Sequence, residues 1–199
     1  QRLRKADVGS LPPHQVPAPA GHHRAGFVVR DNFRNRRAIE RMYLKAIGES
    51  RHHVLLMNPY FLPGRRLRRA LLAARERGVK VTILLQGRAD HPVLQMATRA
   101  LFGLLLGAGI EIYEYEKSML HGKVAAVDDR WATVGSSNLD PFSLFLNREA
   151  NVEVYDEGFA RQVRESVEAE MATGALACRV DHWKQRPLLQ CAQSWLAYG

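Results

Sequence analysis

His121-Gly-Lys123-Val-Ala-Ala-Val-Asp128-Asp-Arg-Trp131-Ala-Thr-Val-Gly135-Ser136-Ser-Asn138 is the stretch whose reading decides the fold. Its fixed residues spell H-x-K-x4-D-x6-G-S-x-N, and Glu149 follows eleven residues after Asn138. A strand starting at the motif projects His121 and Lys123 from one face, because strand side chains repeat every second residue. Val124–Val127 then enters a core, Asp128 and Asp129 make the turn, and Trp131–Val134 returns as a partner strand. The return delivers Gly135, Ser136 and Asn138 near His121. A histidine, a lysine, a hydroxyl and an amide on one patch make a phosphate cradle with a nucleophile inside it. Lys123 supplies a point charge, and Ser136 and Asn138 supply neutral donors.

Working outward, strands and helices alternate. Phe27–Val29 suggests a short strand, with Asp31 or Asn32 placed to cap the helix that follows. In that helix Ile39, Met42, Tyr43, Ala46 and Ile47 recur at the spacing of one helical face. His53–Met57 is a strand candidate. Leu67, Ala70, Leu71 and Ala74 mark a second amphipathic helix, stopped by Gly78, with arginines on its exposed side. Val79–Leu85 is a strand, Pro92–Gly107 an apolar helix, and Ile110–Tyr115 alternates like a strand. Lys123–Val127, Ala132–Val134 and Ala150–Tyr155 are short strands, and a helix runs from Glu157 to about Met171. The pattern predicts an α/β fold, a mixed central sheet flanked by helices.

The composition fits this. The chain has 199 residues, 46% hydrophobic and 25% charged, as expected of a globular domain. Lys and Arg number 29 against 20 Asp and Glu, and the formal charge of +9 asks for an anionic partner: nucleic acid, anionic lipid or a phosphate-bearing metabolite. No apolar run reaches the roughly 18 residues of a membrane span. Cys178 and Cys191 are too few for a disulfide framework, which points to a reducing compartment. Residues 1–24, with Pro12, Pro13, Pro17 and Pro19, read as a linker; 25–175 is the expected domain and 176–199 a C-terminal tail. The first residue, Gln1, is compatible with a processed chain or a piece of a longer one.

The motif resembles the HKD signature of the phospholipase D superfamily. Trp131–Leu144, Asn147–Val154, Val29-Arg-Asp-Asn32, Asn58-Pro-Tyr-Phe61 and Leu84-Leu-Gln-Gly-Arg88 are similar to the bacterial cardiolipin synthase branch, and to its C-terminal half in particular. The resemblance covers roughly residues 26 to 170. It implies a phosphatidyltransferase that forms cardiolipin from phosphatidylglycerol through a phosphohistidine on His121. Lys123, Ser136 and Asn138 would stabilise the phosphoryl oxygens, Glu149 would hydrogen-bond the histidine, and Asp128 would organise the turn. Tyr60 and Arg88, at strand ends, are candidates for the substrate cleft. No cofactor and no metal are implied.

A full-length member carries two such motifs, and this sequence has one. The second half lies either in the same longer polypeptide or in a second copy of the chain. The expected partners are an anionic phospholipid, a peripheral membrane surface and that second half; nucleic acid is not favoured. The implied location is the cytoplasmic side of a bacterial inner membrane. The alternative function is a single-motif phosphodiesterase, phospholipase or endonuclease, acting as a homodimer. Arg65–Arg69 reads equally as a solvated helix face or a headgroup contact, Met96–Leu106 as core with a membrane-facing surface as the alternative, and the pairs His22-His23 and His52-His53 as structural or solvated.

Overall fold

A computed structural model describes residues 23–88 and 91–180. The elements are β1 (Arg24–Arg30), α1 (Ala38–Glu49), β2 (His53–Met57), α2 (Arg65–Glu76), β3 (Lys80–Gln86), α3 (Pro92–Ala100), α4 (Phe102–Gly107), β4 (Glu111–Tyr115), β5 (Val124–Val127), β6 (Trp131–Gly135), α5 (Pro141–Phe145), β7 (Glu149–Tyr155), α6 (Glu157–Gly174) and β8 (Ala175–Ala177). The strands form one sheet in the order β1-β7-β6-β5-β2-β3-β4-β8. β2, β3 and β4 run parallel, joined through helices as parallel neighbours require. The remaining pairs are antiparallel. This is the mixed, helix-flanked sheet that the alternation of periodicities predicts.

The helices cover the two faces unequally. On one, α1 buries Ile39, Met42, Tyr43, Ala46 and Ile47, and α2 buries Leu67, Leu71 and Ala74. They pack with Phe102, Leu105 and Leu106 of α4 on Val54, Leu56, Val81, Ile83, Ala125 and Val127. α2 ends where Gly78 takes φ +85°, and the Val79 amide closes the turn on the Ala74 carbonyl at 3.0 Å. On the other face α6 packs Val167 against Leu55, Leu84, Tyr115 and Leu120. It covers the β1-β7-β6 end only in part, with Val163 and Ser166 beside Val134. Phe27, Val152 and Val134 pair directly across three strands, and with Val29 they are 70%, 40%, 45% and 40% exposed.

Four local expectations change. Asp31 does not cap α1; it accepts the amides of Phe33 at 2.8 Å and Asn35 at 2.9 Å in a turn of its own, and α1 begins only at Ala38. The apolar run Pro92–Gly107 is two helices, broken at Leu101. β5 starts at Val124, so His121 and Lys123 precede the strand. β8 pairs with β4, extending the sheet to Ala177. Of the histidine pairs, His53 contacts Asp129 at 3.2 Å and His23 contacts Asp156 at 2.9 Å. His22, Cys191 and most of the expected linker and tail lie outside the described residues.

The antiparallel run β5-β6-β7 divides the sheet into two ends. At the far end, Asp128 and Asp129 take φ 52° and 48°, the left-handed pair of a tight hairpin turn, and the Arg130 amide closes on the Val127 carbonyl at 3.0 Å. Asp128 accepts the amides of Arg51 at 2.6 Å and of His52 and His53 at 2.8 Å. Burial works against its charge, yet these three donors together hold its carboxyl below the ordinary range. Asp129 is lowered chiefly by the Arg164 guanidinium, 2.7 Å away. A depressed folded-state pKa contributes stability above the unfolded value of 3.8, lost as pH falls through the folded one. Thermal midpoints are therefore expected to hold down to about pH 4 and drop below it. Asp128→Asn, which cannot ionise, flattens that acid limb; Asp128→Ala costs about 2 kcal/mol at neutral pH, allowing for solvent at the turn.

Candidate active site

The opposite end gathers the chemistry. The start of β5, the end of β6 and the start of β7 meet there by antiparallel geometry, beside the carboxyl ends of the parallel β2 and β3. Crevices outside the carboxyl ends of parallel strands are the usual ligand positions in such sheets. Backbone bonds lock the edge: the Gly135 amide donates to the Lys123 carbonyl at 3.1 Å, and the Ser136 amide to the Ala150 carbonyl at 3.0 Å.

Lys123 is buried and turns back, its Nζ donating to the His121 carbonyl at 2.8 Å. Burial pushes its pKa below the ordinary lysine range, opposed by the negative charges of Glu149 and Asp140. The Ser136 hydroxyl donates to the Glu149 carboxylate and accepts the Ala150 amide at 3.1 Å. Asn138 hydrogen-bonds Asp140, while its own Oδ1 is buried without a partner. The edge thus holds Lys123, Ser136, Asn138 and Glu149 together.

The His121 ring is placed differently from the expectation. It is exposed, and the bond to Glu149 is not made; the carboxylate is occupied by Ser136. The reason is local. His121 sits in the coil before β5, fixed through its backbone rather than by a strand register. Just before it, the Leu120 amide donates to Gln86 Oε1 at 2.5 Å, and Gln86 Nε2 reaches the Arg88 carbonyl at 2.9 Å. Asp128 stands at the other end of β5, where its oxygens hold the amides of Arg51, His52 and His53.

An open pocket of about 600 Å³ adjoins the edge, lined by Tyr60, His91, Val93, Asn138, Asp140 and Phe142 among others. Tyr60 is therefore brought to Asn138. Arg88 is not; it lies in the adjacent cleft with Gln86, Gln95 and Arg99. The loop carrying Tyr60 is stitched to the motif: Asn58 Oδ1 accepts the Leu139 amide at 3.2 Å, and the Leu62 amide reaches the Leu139 carbonyl at 2.8 Å.

Several contributors escaped the sequence reading. Asp140 caps α5 by accepting the Ser143 amide at 2.9 Å. Burial raises its pKa, against the pull of its backbone donors. Its signal was present, since Asp before Pro141 is a helix-start signature. Asn151, fully buried, donates to Thr133 Oγ1 at 3.2 Å and supports the strand ends below Ser136. Arg30 carries no such signal. Its side chain is fully buried, with both terminal nitrogens donating to the carbonyls of Phe145 and Asn147. It is a positioning residue: it ties off the end of α5 and fixes the segment entering Glu149, its partner across β1 and β7. Arg30→Met removes the donors of those part-buried carbonyls and is expected to cost about 2 kcal/mol. Arg30→Lys, which keeps one donor group, should recover part of that in a urea titration.

The family model of the cardiolipin synthase, PLD-like domain matches residues 43–171. The chain is 46% identical over 148 residues to cardiolipin synthase B of Salmonella typhi; that alignment covers 74% of this chain and 36% of the synthase. Among solved structures, Nuc of Salmonella typhimurium, a phospholipase D family member, superposes with TM-score 0.67 at 20% identity, covering 79% of this chain and 99% of Nuc. Phosphatidylserine synthase of Haemophilus influenzae superposes with TM-score 0.68 at 13% identity, covering 87% of this chain and 47% of that one. The chain thus spans about a third of its synthase relative and a whole unit of Nuc. From the HKD pattern, the sheet it sits on and these matches, the chain belongs to the phospholipase D-like domain family of cardiolipin synthases.

Proposed function

We propose that this chain is one half-site of a phosphatidyltransferase that makes cardiolipin from phosphatidylglycerol. The observation that carries the reading is the convergence of Lys123, Ser136, Asn138 and Glu149 on the edge where His121 projects. In the first step His121 Nε2 attacks the donor phosphorus. A P–N bond forms, the P–O bond to glycerol breaks, and the histidine of the second half protonates the departing oxygen. In the second step the hydroxyl of another phosphatidylglycerol gives its proton to that histidine and attacks phosphorus, and the P–N bond breaks. Lys123, Ser136 and Asn138 stabilise charge on the non-bridging oxygens. Glu149 exchanges its Ser136 bond for the imidazole Nδ1–H as the ring swings inward, leaving Nε2 as the nucleophile.

The partly exposed strip of Phe27, Val29, Val134 and Val152 suits the second half. Val134 lies two residues before Ser136, so a body seated on the strip reaches the site edge. Among the described residues no helix is long and apolar enough to cross a membrane. We assign the chain a peripheral place on the cytoplasmic face of a bacterial inner membrane. The test supplies phosphatidylglycerol in detergent micelles and measures cardiolipin and glycerol, beside plasmid nicking. Equimolar cardiolipin and glycerol support the reading. Nicking that His121→Ala abolishes, without lipid exchange, would transfer the chain to the phosphodiesterase alternative.

A further inference from the structure

The molecule's other unassigned feature lies across α5 from the Asn138 pocket. There Arg34, Arg36, Arg37 and Arg41 line an open pocket of about 500 Å³ with Phe145 as its apolar wall. Some arginines elsewhere are neutralised: Arg99 meets Glu114 at 2.8 Å, and Arg164 meets Asp129 and Glu168 at 2.7 Å. Here they are not. Arg34, Arg36 and Arg41 make no ion pair among the described residues. Arg37 has only Glu40 at 3.9 Å and the face of Phe145 at 6.0 Å. Four guanidiniums converging with one carboxylate, Glu40, at 3.9 Å from Arg37 alone repel one another unless an anion joins them. The N-terminus of α1, with no side-chain cap, adds positive potential at the same place. Next in sequence to the lining residues Arg34 and Phe145 stand two exposed apolar side chains, Phe33 at 82% and Leu146 at 59%.

We infer that this pocket is a docking site for phosphate headgroups of an anionic phospholipid surface, separate from the His121 site. Guanidinium groups suit phosphate oxygens, and Phe33 and Leu146 suit the boundary between headgroups and acyl chains. A soluble phosphate ester or a nucleic-acid backbone would use the arginines and have no need of the apolar pair. α5 is the shared wall: Phe142 and Ser143 line the Asn138 pocket, and Phe145 lines this one. A membrane held by the arginines therefore lies next to the mouth of the candidate active site. The inference does not depend on the exchange chemistry.

The experiment is co-sedimentation of the 199-residue chain with vesicles of phosphatidylcholine, with and without phosphatidylserine. Wild type is expected to partition onto the anionic vesicles alone, less so as salt rises. R34Q/R36Q/R41Q should lower partitioning about 100-fold, each charge near the surface giving roughly a fivefold factor. Phe33→Ser should lower it further, and thermal midpoints should not move, since these side chains are exposed. The matched control K45Q/R51Q/R130Q, at the Asp128 end, should stay within about threefold of wild type. His121→Ala should bind as wild type does. Equal losses in control and triple variant would overturn the site in favour of diffuse charge. Full displacement by millimolar glycerol 3-phosphate, or loss of duplex DNA binding with vesicle binding intact, would overturn the lipid assignment.

Discussion

His121→Ala is expected to lower cardiolipin formation by about 10⁴-fold or more, the scale on which removing a covalent nucleophile acts. That factor corresponds to roughly 5 kcal/mol of lost transition-state stabilisation. Stability should barely change, because the ring is exposed and has no hydrogen-bond partner among the described residues. The pairing of a large kinetic loss with an unmoved thermal midpoint separates a chemical role from a structural one. Labelled phosphatidylglycerol should leave acid-labile label on wild type and none on His121→Ala. Persistent label on the variant would assign the nucleophile to the other half and leave His121 as the acid.

Gly135→Ala is expected to destabilise the fold by about 3 kcal/mol, a fall of roughly 8 °C in thermal midpoint for a chain of this size. An added Cβ would stand 2.3 Å from Asn151 Cγ and Oδ1 and 2.6 Å from the Ala150 carbonyl. Neither neighbour can yield. Asn151 is fully buried and held by Thr133, and Ala150 O accepts the Ser136 amide. Relief comes only by spreading β6 from β7, which pulls Ser136 away from Glu149, so exchange falls with stability. Gly122→Ala is the control. Its added Cβ meets Met57 Cε at 2.3 Å, the tip of a flexible side chain, and the cost should stay below about 1 kcal/mol. Equal effects from the two substitutions would show that Asn151 moves.

Much of the fold could be read because local pattern and final packing agree. All five apolar positions assigned to the α1 stripe are buried, and β2 spans the assigned His53–Met57. Reading failed where distant contacts decide. β8 is an Ala-Leu-Ala that becomes a strand only because β4 offers it an edge. In the run from Pro92 no glycine or proline stands at Leu101, so no breaker residue marks the division between α3 and α4. Asp31 carries a capping signal that a local turn absorbs first. In the site, the motif told which residue types meet, since the hairpin of β5 and β6 returns them to one edge. It could not tell that Ser136 holds Glu149 while His121 faces outward. Nor could it show Arg30, whose carbonyl partners lie 115 and 117 residues away in the chain.

With the second half seated as proposed on the strip across β1, β7 and β6, the stability of this chain becomes a matter of mass action. Whatever body seats there binds the folded sheet and not the unfolded chain, where Phe27, Val134 and Val152 are scattered along the sequence. Each tenfold rise in that body's free concentration above its dissociation constant then adds about 1.4 kcal/mol to folding. When the seat is tethered in one polypeptide, that concentration is set by the tether; between separate copies it is set by expression level. The same four side chains would thus make a linked half robust on dilution and a lone half sensitive to it.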